Sequence, residues 1–246
     1  MNEYYGELCT QIYEKDKSIA EGKELEFYLS FVKDKNMKVL EPMCGNGRML
    51  IPFMQHGIDI EGFDMSEEML QVCVDKGNRL NLKPNVFHAK IEEFRSTKKY
   101  DLILIPFGSF SLLPDSLAKN SLLNMKSILK EDGKLLLTTM TKNGKVEDIP
   151  NWVETNRQHF DNYMIVEHKK AHYDGESKLL NMKLKYQLMK GKHIEKTEIM
   201  DFPIRLYETG EFENILESNG FHKIVLHKVM NGYGEGSSFH VLECSK

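Results

Sequence analysis

The chain has 246 residues, 41% of them hydrophobic and 28% charged, with a formal net charge of -4. That length is enough for one sizeable core, no apolar run approaches the ~18 residues of a membrane span, and Met1-Asn2-Glu3-Tyr4 lacks the basic and apolar regions of a signal peptide, so a cytoplasmic protein without membrane contact is expected. The acidic balance without a basic block argues against nucleic acid, and Cys9, Cys44, Cys73 and Cys244 are scattered without metal spacing, which leaves a small molecule as the expected partner of a monomer or homodimer.

In chain order, Leu25, Tyr28, Leu29 and Val32 recur at helical spacing and predict an opening helix. An apolar strand at 37–41 ends on Glu41 and runs through Pro42-Met43-Cys44-Gly45-Asn46-Gly47 into a helix marked by Leu50, Phe53 and Met54, with Gly57 as its C-cap. Gly45 and Gly47 let the backbone turn sharply and approach a ligand, while Glu41 can accept hydrogen bonds from an amine or hydroxyls. Phosphate is not the obvious guest: a P-loop needs Gly-Lys-Ser/Thr where Arg48-Met49-Leu50 stands, and Leu50 occupies the position of the third glycine in the dinucleotide fingerprint. A second strand at 58–63 leads to Asp64, which can take both hydroxyls of a ribose, and Met65, which can cover one face of an adenine. An adenosine-containing ligand with its other end over the glycines follows, and on these residues alone NAD remains open. Ser66 is placed to cap the next helix, with Glu67 and Glu68 in its first turn.

Further strands at 85–88, 101–106, 134–140, 223–229 and 238–243 alternate with helices marked by Leu122, Met125 and Leu129 and by Thr209, Phe212, Ile215 and Leu216, which predicts a parallel sheet covered on both faces. Residues 142–204 break the alternation. Leu180, Met182, Leu184, Tyr186 and Leu188 share one strand face, and Asp174-Gly175 and Lys190-Gly191-Lys192 are turns, so a meander of about three antiparallel strands is expected there.

The pair Leu40-Glu41-x-x-Cys44-Gly45-x-Gly47-Arg48 and Gly62-Phe63-Asp64-Met65-Ser66-x-x-Met69-Leu70 resembles the first two motifs of class I S-adenosylmethionine-dependent methyltransferases. Asp101-Leu102-Ile103-Leu104, the run Leu129 to Leu137 and Leu216-Glu217-Ser218-Asn219-Gly220-Phe221 are similar to later elements of that family. The resemblance implies an α/β fold: a Rossmann-like seven-stranded methyltransferase sheet with helices on both faces and an inserted antiparallel β meander. It divides a single domain over 1–246 into an N-terminal lid and helix (1–36), a cofactor-binding core (37–141), a β insert over the active site (142–204) and a C-terminal completion of the sheet (205–246). It implies S-adenosyl-L-methionine as cofactor, held by Tyr13, Glu41, Met43, Gly45, Gly47, Arg48, Asp64, Met65, Lys90, Ile91 and Pro106. Arg48 either grips the ligand carboxylate or lies on the first helix turn.

In small-molecule N-methyltransferases of the glycine and amino-sugar types such an insert roofs the active site, and Tyr4-Tyr5 and Ile12-Tyr13 resemble their aromatic lid. The implied acceptor-binding residues are Tyr5, Phe107, Phe110, Trp152 and His172, while His159 and His168 fall in or near the insert. Two positions depart from the family: Met43 replaces a usual glycine, and Lys90 replaces an acid that binds the adenine amino group, leaving main-chain groups near Ile91 and packing for that subsite. Methyl transfer asks mainly for positioning, on the order of 7–11 kcal/mol of the barrier, and no catalytic base is assignable from spacing. An amine nitrogen is the expected acceptor, with an oxygen acceptor or a non-catalytic cofactor-binding module as alternatives.

Overall fold

The computed structural model describes residues 5–246. In chain order the elements are α1 (Glu7–Asp16), α2 (Gly22–Leu29), β1 (Lys38–Pro42), α3 (Leu50–Gln55), β2 (Asp59–Asp64), α4 (Glu67–Arg79), β3 (Asn85–His88), β4 (Tyr100–Ile105), α5 (Asp115–Ile128) and β5 (Leu129–Leu137). Then follow β6 (Ile149–His159), β7 (Met164–Asp174), β8 (Leu179–Lys190), β9 (His193–Arg205), α6 (Glu211–Ser218), β10 (His222–Val229) and β11 (Phe239–Ser245).

Seven strands form one sheet in the order β10-β11-β5-β4-β1-β2-β3, parallel among β1 to β5, with β11 antiparallel to both β5 and β10. Successive side chains of these strands enter two different cores. Leu40, Ile103, Ile105, Leu135 and Leu137 pack with Leu122 and Met125 of α5 and Phe212 and Leu216 of α6. Their neighbours Val39, Leu102, Leu104 and Leu136 pack with Tyr28, Leu50, Phe53 and Cys73 of α2, α3 and α4. Burial on both faces is why these strands read as continuous apolar runs. The Ser66 hydroxyl accepts from the Met69 N–H at 3.1 Å, giving α4 its cap, and Gly57 at φ 74° closes α3.

The insert is a separate antiparallel sheet of four strands, β6 to β9, where the sequence predicts about three. The extra strand is β6, Ile149-Pro-Asn-Trp-Val-Glu-Thr-Asn-Arg-Gln-His159, an edge strand largely exposed or half-buried on both faces, so it has no apolar alternation to read. The amino-terminal segment also differs from expectation: two helices precede β1. Leu8, Cys9 and Ile12 of α1 pack on Ile165, Leu184, Tyr186 and Met200 of the meander. Their spacing, with Tyr5 and Tyr13, is the helical signal that an aromatic lid conceals. Tyr4 lies outside the described residues. Among those residues no helix is long and apolar enough to cross a membrane.

Candidate active site

The carboxyl ends of β1, β2 and β4 meet where the sheet order reverses, the place at which open parallel sheets form a ligand crevice. A cavity of about 340 Å³ opens there. Three residues of the loop after β1 have left-handed backbone: Met43 at φ 58°, Gly45 at 51° and Gly47 at 74°. Met43 thus carries a side chain where glycine is easier, at about 1–2 kcal/mol, and lines the cavity. The two glycines do different things. A Cβ on Gly45 would have nothing within 4 Å, so its open side is the cavity; a Cβ on Gly47 would lie 2.4 Å from Cys73 Sγ, so Gly47 lets the loop pack on α4 and does not line the cavity.

Asp64 lines the cavity and holds the loop at once. Its Oδ2 accepts from the Gly45 N–H at 2.9 Å and its Oδ1 from the Ser66 N–H at 2.9 Å. Burial raises its pKa, opposed by these backbone donors. Glu41 is 2% exposed and its Oε2 has no hydrogen-bond partner. Burial pushes its carboxyl well above the usual carboxylate range. A buried acceptor without a donor, at a cavity wall, fits a ligand ammonium or hydroxyl. Arg48 borders the same cavity, yet its two terminal nitrogens bind the buried Glu24 carboxylate at 2.8 and 2.5 Å and its guanidinium lies 4.6 Å from the Phe107 ring centre. Its two terminal nitrogens are therefore committed to Glu24, while its buried Nε has no hydrogen-bond partner among the described residues, so the ion pair with Glu24 does not by itself decide whether Arg48 also meets the ligand.

Met65, Lys90, Ile91 and Pro106 also line this cavity. Lys90 is exposed, with Nζ 3.4 Å from Glu93. The neighbouring Glu92 lines the cavity as well, an acid two residues from the position where the family pattern puts one, and the apolar Met69, Ala89, Leu113 and Leu117 complete the wall. These surroundings fit the parts of S-adenosylmethionine: an orphan carboxylate for its ammonium, a strand-end carboxylate for its ribose, apolar walls for its base.

A second cavity of about 310 Å³ lies alongside and shares Tyr5, Tyr13, Phe107, Ser109, Leu112 and Phe202 with the first. The shared wall is aromatic. Tyr5 packs edge-on against Tyr13 at 6.1 Å and Phe202 at 5.9 Å, and Tyr13 against Phe107 at 6.5 Å. Burial raises the pKa of Tyr5 and of Tyr13, so both phenols stay protonated and act as donors. Phe107 takes φ 61° at the end of β4, which turns its ring between Tyr13 and Tyr233.

Three expected acceptor residues are elsewhere. Phe110 is fully buried against Phe212 in the core, because the 3-10 turn 109–112 folds it under the sheet. Trp152 lies between the ammonium groups of Lys170 and Lys185, on the meander face opposite Tyr186. His172 pairs with Asp148 at 2.8 Å on the exposed side. None of the three lines either cavity, and neither do His159 and His168. Without β6 in view, the phase that turns Trp152 outward was hidden. The chamber residues missed in the sequence include Asn156, Glu167, Leu184, Tyr186 and Phe202, of which Leu184 and Tyr186 sit on a strand face already read as half-buried.

Residues 39–133 match a family model described as a methyltransferase domain. An S-adenosylmethionine-dependent methyltransferase from Clostridium acetobutylicum ATCC 824 superposes with a TM-score of 0.73 over 96% of each chain at 18% identity. A sugar N-methyltransferase from Streptoalloteichus sp ATCC 53650 does so with 0.74 over 100% of this chain and 94% of that one at 15% identity. At such identities the likeness is one of fold. In sequence, the ubiquinone biosynthesis O-methyltransferase of Coxiella burnetii (strain Dugway 5J108-111) is 27% identical over 112 residues, 45% of this chain and 47% of the relative. The chain spans about half or less of the length of the curated relatives it matches. The chain has the class I methyltransferase fold, its residues 39–133 match the methyltransferase-domain model, and S-adenosylmethionine is the cofactor of that class.

Proposed function

We propose that this protein transfers a methyl group from S-adenosylmethionine to a nitrogen of a small-molecule acceptor. The observation that carries the reading is the pair of cavities meeting at Tyr5, Tyr13 and Phe107, one lined by Glu41, Gly45 and Asp64 and the other closed by α1 and the meander. In this reading Glu41 takes the ammonium of the methionine portion, Asp64 the ribose hydroxyls, and Met65, Ile91 and Leu113 enclose the base. The cofactor supplies a methyl carbon made electrophilic by its sulfonium. The chain holds the acceptor in line, and the aromatic wall keeps water out of the junction.

Nitrogen is favoured over oxygen because the bases at the cavity walls, among the described residues, are carboxylates, which are weak bases for an alcohol. An amine freed of its proton has its own lone pair, whereas an alcohol needs a base in the transition state. Among the described residues no histidine lines either cavity. Burial raises the pKa of Tyr5, Tyr13 and Tyr186, and pushes the Cys9 thiol up to about 12. The sugar N-methyltransferase shares the fold over the whole of this chain, insert included, which is consistent with this reading. The test is transfer of labelled methyl from S-adenosylmethionine into a panel of small amines and hydroxy compounds, with product linkage read by mass spectrometry. N-linked product is expected. O-linked product would replace the reading, and tight cofactor binding without transfer would favour a non-catalytic module.

A further inference from the structure

The chamber beside the cofactor cleft contains a carboxylate whose surroundings call for a cation that the chain does not supply. Strand register puts Asn156, Glu167, Tyr186 and Glu198 in one row across β6, β7, β8 and β9. The two acids of this row have different fates. Glu198 is neutralised by Lys196 at 2.7 Å and accepts from the Leu8 N–H at 2.8 Å, which fixes the start of α1 on the meander. Glu167 lines the chamber, half-buried; the neutral Thr155 hydroxyl donates to it at 2.5 Å, and the Tyr186 phenol stands directly across from it on β8. Among the described residues no ion pair is made to it. The third acid, Asp16, is engaged by the side-chain amides of Asn156 and Gln158. The chamber's cation, Lys17, is turned onto the rings of Tyr13 and Phe107, 5.4 and 5.3 Å from their centres.

Tyr186 is placed to keep the Glu167 carboxylate aimed. It is 3% exposed, and the Cys9 thiol donates to its oxygen at 3.3 Å. That contact occupies an acceptor site of the phenol, so the phenolic hydrogen is left for its cross-strand neighbour Glu167. A half-buried carboxylate without a counter-charge is a costly arrangement that an incoming cation relieves, and aromatic walls add attraction for the same charge.

We propose that Glu167 determines the acceptor class: it receives the cationic nitrogen of an organic ammonium whose apolar body lies against Tyr5, Tyr13, Phe107 and Phe202, with Tyr186 as the positioning residue. The proposal rests on the reading of the second cavity as the acceptor chamber. It concerns recognition of the ammonium form, whose nitrogen sheds its proton before it can accept a methyl, and it includes no covalent step.

A matched pair of probes tests it: 2-phenylethylamine, an ammonium at neutral pH, and 2-phenylethanol, of the same shape without the charge. Binding of each is measured by calorimetry with the protein saturated by S-adenosylhomocysteine, whose own affinity is measured on the same samples. The wild type is expected to prefer the ammonium by about tenfold or more, the scale of one charged hydrogen bond. Glu167→Gln, of the same size and still able to accept from Thr155, is expected to abolish the preference while leaving the cofactor affinity unchanged. Tyr186→Phe is expected to reduce the preference without abolishing it. A wild type that binds the probes equally or binds neither, or a preference that survives Glu167→Gln, overturns the proposal. Intact S-adenosylhomocysteine binding in that case leaves the cofactor site standing, whereas a wild type that does not bind S-adenosylhomocysteine strikes the transferase reading itself.

Discussion

The cleft of Glu41 and Asp64 and the chamber beside it, proposed as the sites of cofactor and acceptor, are built in opposite ways. Glu41, Gly45 and Asp64 come from two adjacent parallel strands and the loop between them, so a short stretch of chain carries its own geometry. The chamber is closed by contacts between the two ends of the molecule: Leu8 with Glu198 across 190 positions and Cys9 with Tyr186 across 177. Local closure makes the first a motif. Remote closure makes the second a property of packing, free to differ among proteins that share the sheet.

The largest expected effects separate two glycines of that motif. Gly45→Val places a branched side chain into the cavity at a left-handed position and should lower S-adenosylhomocysteine affinity by about 100-fold or more, measured by calorimetry, in a chain that still folds. Gly47→Ala should instead appear as lost stability, about 2–4 kcal/mol by denaturant unfolding, because the new Cβ meets Cys73 on α4. An affinity loss at Gly47 without a stability loss would erase the distinction.

Next in size is Asp64. Asp64→Ala removes charged hydrogen bonds from the ligand and the acceptor that holds the Gly45 N–H, so cofactor and demethylated cofactor should both weaken by ~1.5–3 kcal/mol. Asp64→Asn keeps one acceptor oxygen where Asp64 uses two, so it can hold either the Gly45 or the Ser66 N–H and should recover only part of the loop order and part of the affinity. Unchanged calorimetric affinity in Asp64→Ala would remove this residue from the site.

Glu41 sets the pH dependence. Burial holds its carboxyl protonated above the usual carboxylate range, so the folded free protein binds a proton there that the unfolded chain has released. Stability of the free protein therefore falls as pH rises from the ordinary carboxylate pKa to the raised one. A ligand ammonium favours the ionised form, so binding releases that proton and S-adenosylhomocysteine affinity rises with pH through the same window, then levels. Calorimetry in buffers of different ionisation enthalpy counts the proton. Glu41→Gln should weaken binding and flatten the pH profile, and a slope that persists in this variant would assign it to another group.

The same contrast explains what the sequence revealed. The parallel strands were legible because burial on both faces writes uninterrupted apolar runs, as in Leu102 to Ile105, and the caps were legible because Ser66 and Gly57 act on their own neighbours. The glycine loop, Glu41 and Asp64 were legible for that reason too. What Arg48 does was not, because its partner Glu24 sits on a different helix and nothing local pairs them. Glu167 was illegible for a sharper reason: its meaning depends on Lys196 neutralising Glu198 and on no lysine or arginine among the described residues pairing with Glu167, a comparison available only once the four strands are in register.

The smallest expected effect concerns the two faces of the meander. Trp152 looks like a roof residue in the sequence, yet its indole is held between Lys170 and Lys185 on the face turned away from Tyr186 and Glu167. Two cation–π contacts at this half-exposed position are worth about 0.5–1 kcal/mol each, so Trp152→Ala should lower stability by ~1–2 kcal/mol in denaturant unfolding. Acceptor turnover should stay within about twofold, because the inner face keeps its register through β7 and β8. Tyr186→Phe on the opposite face removes one hydroxyl and little stability, but it should act on acceptor KM. If Trp152→Ala instead raises acceptor KM at unchanged cofactor affinity, the outward phase of β6 is wrong, and the acceptor contacts the meander through the strand that the sequence failed to show.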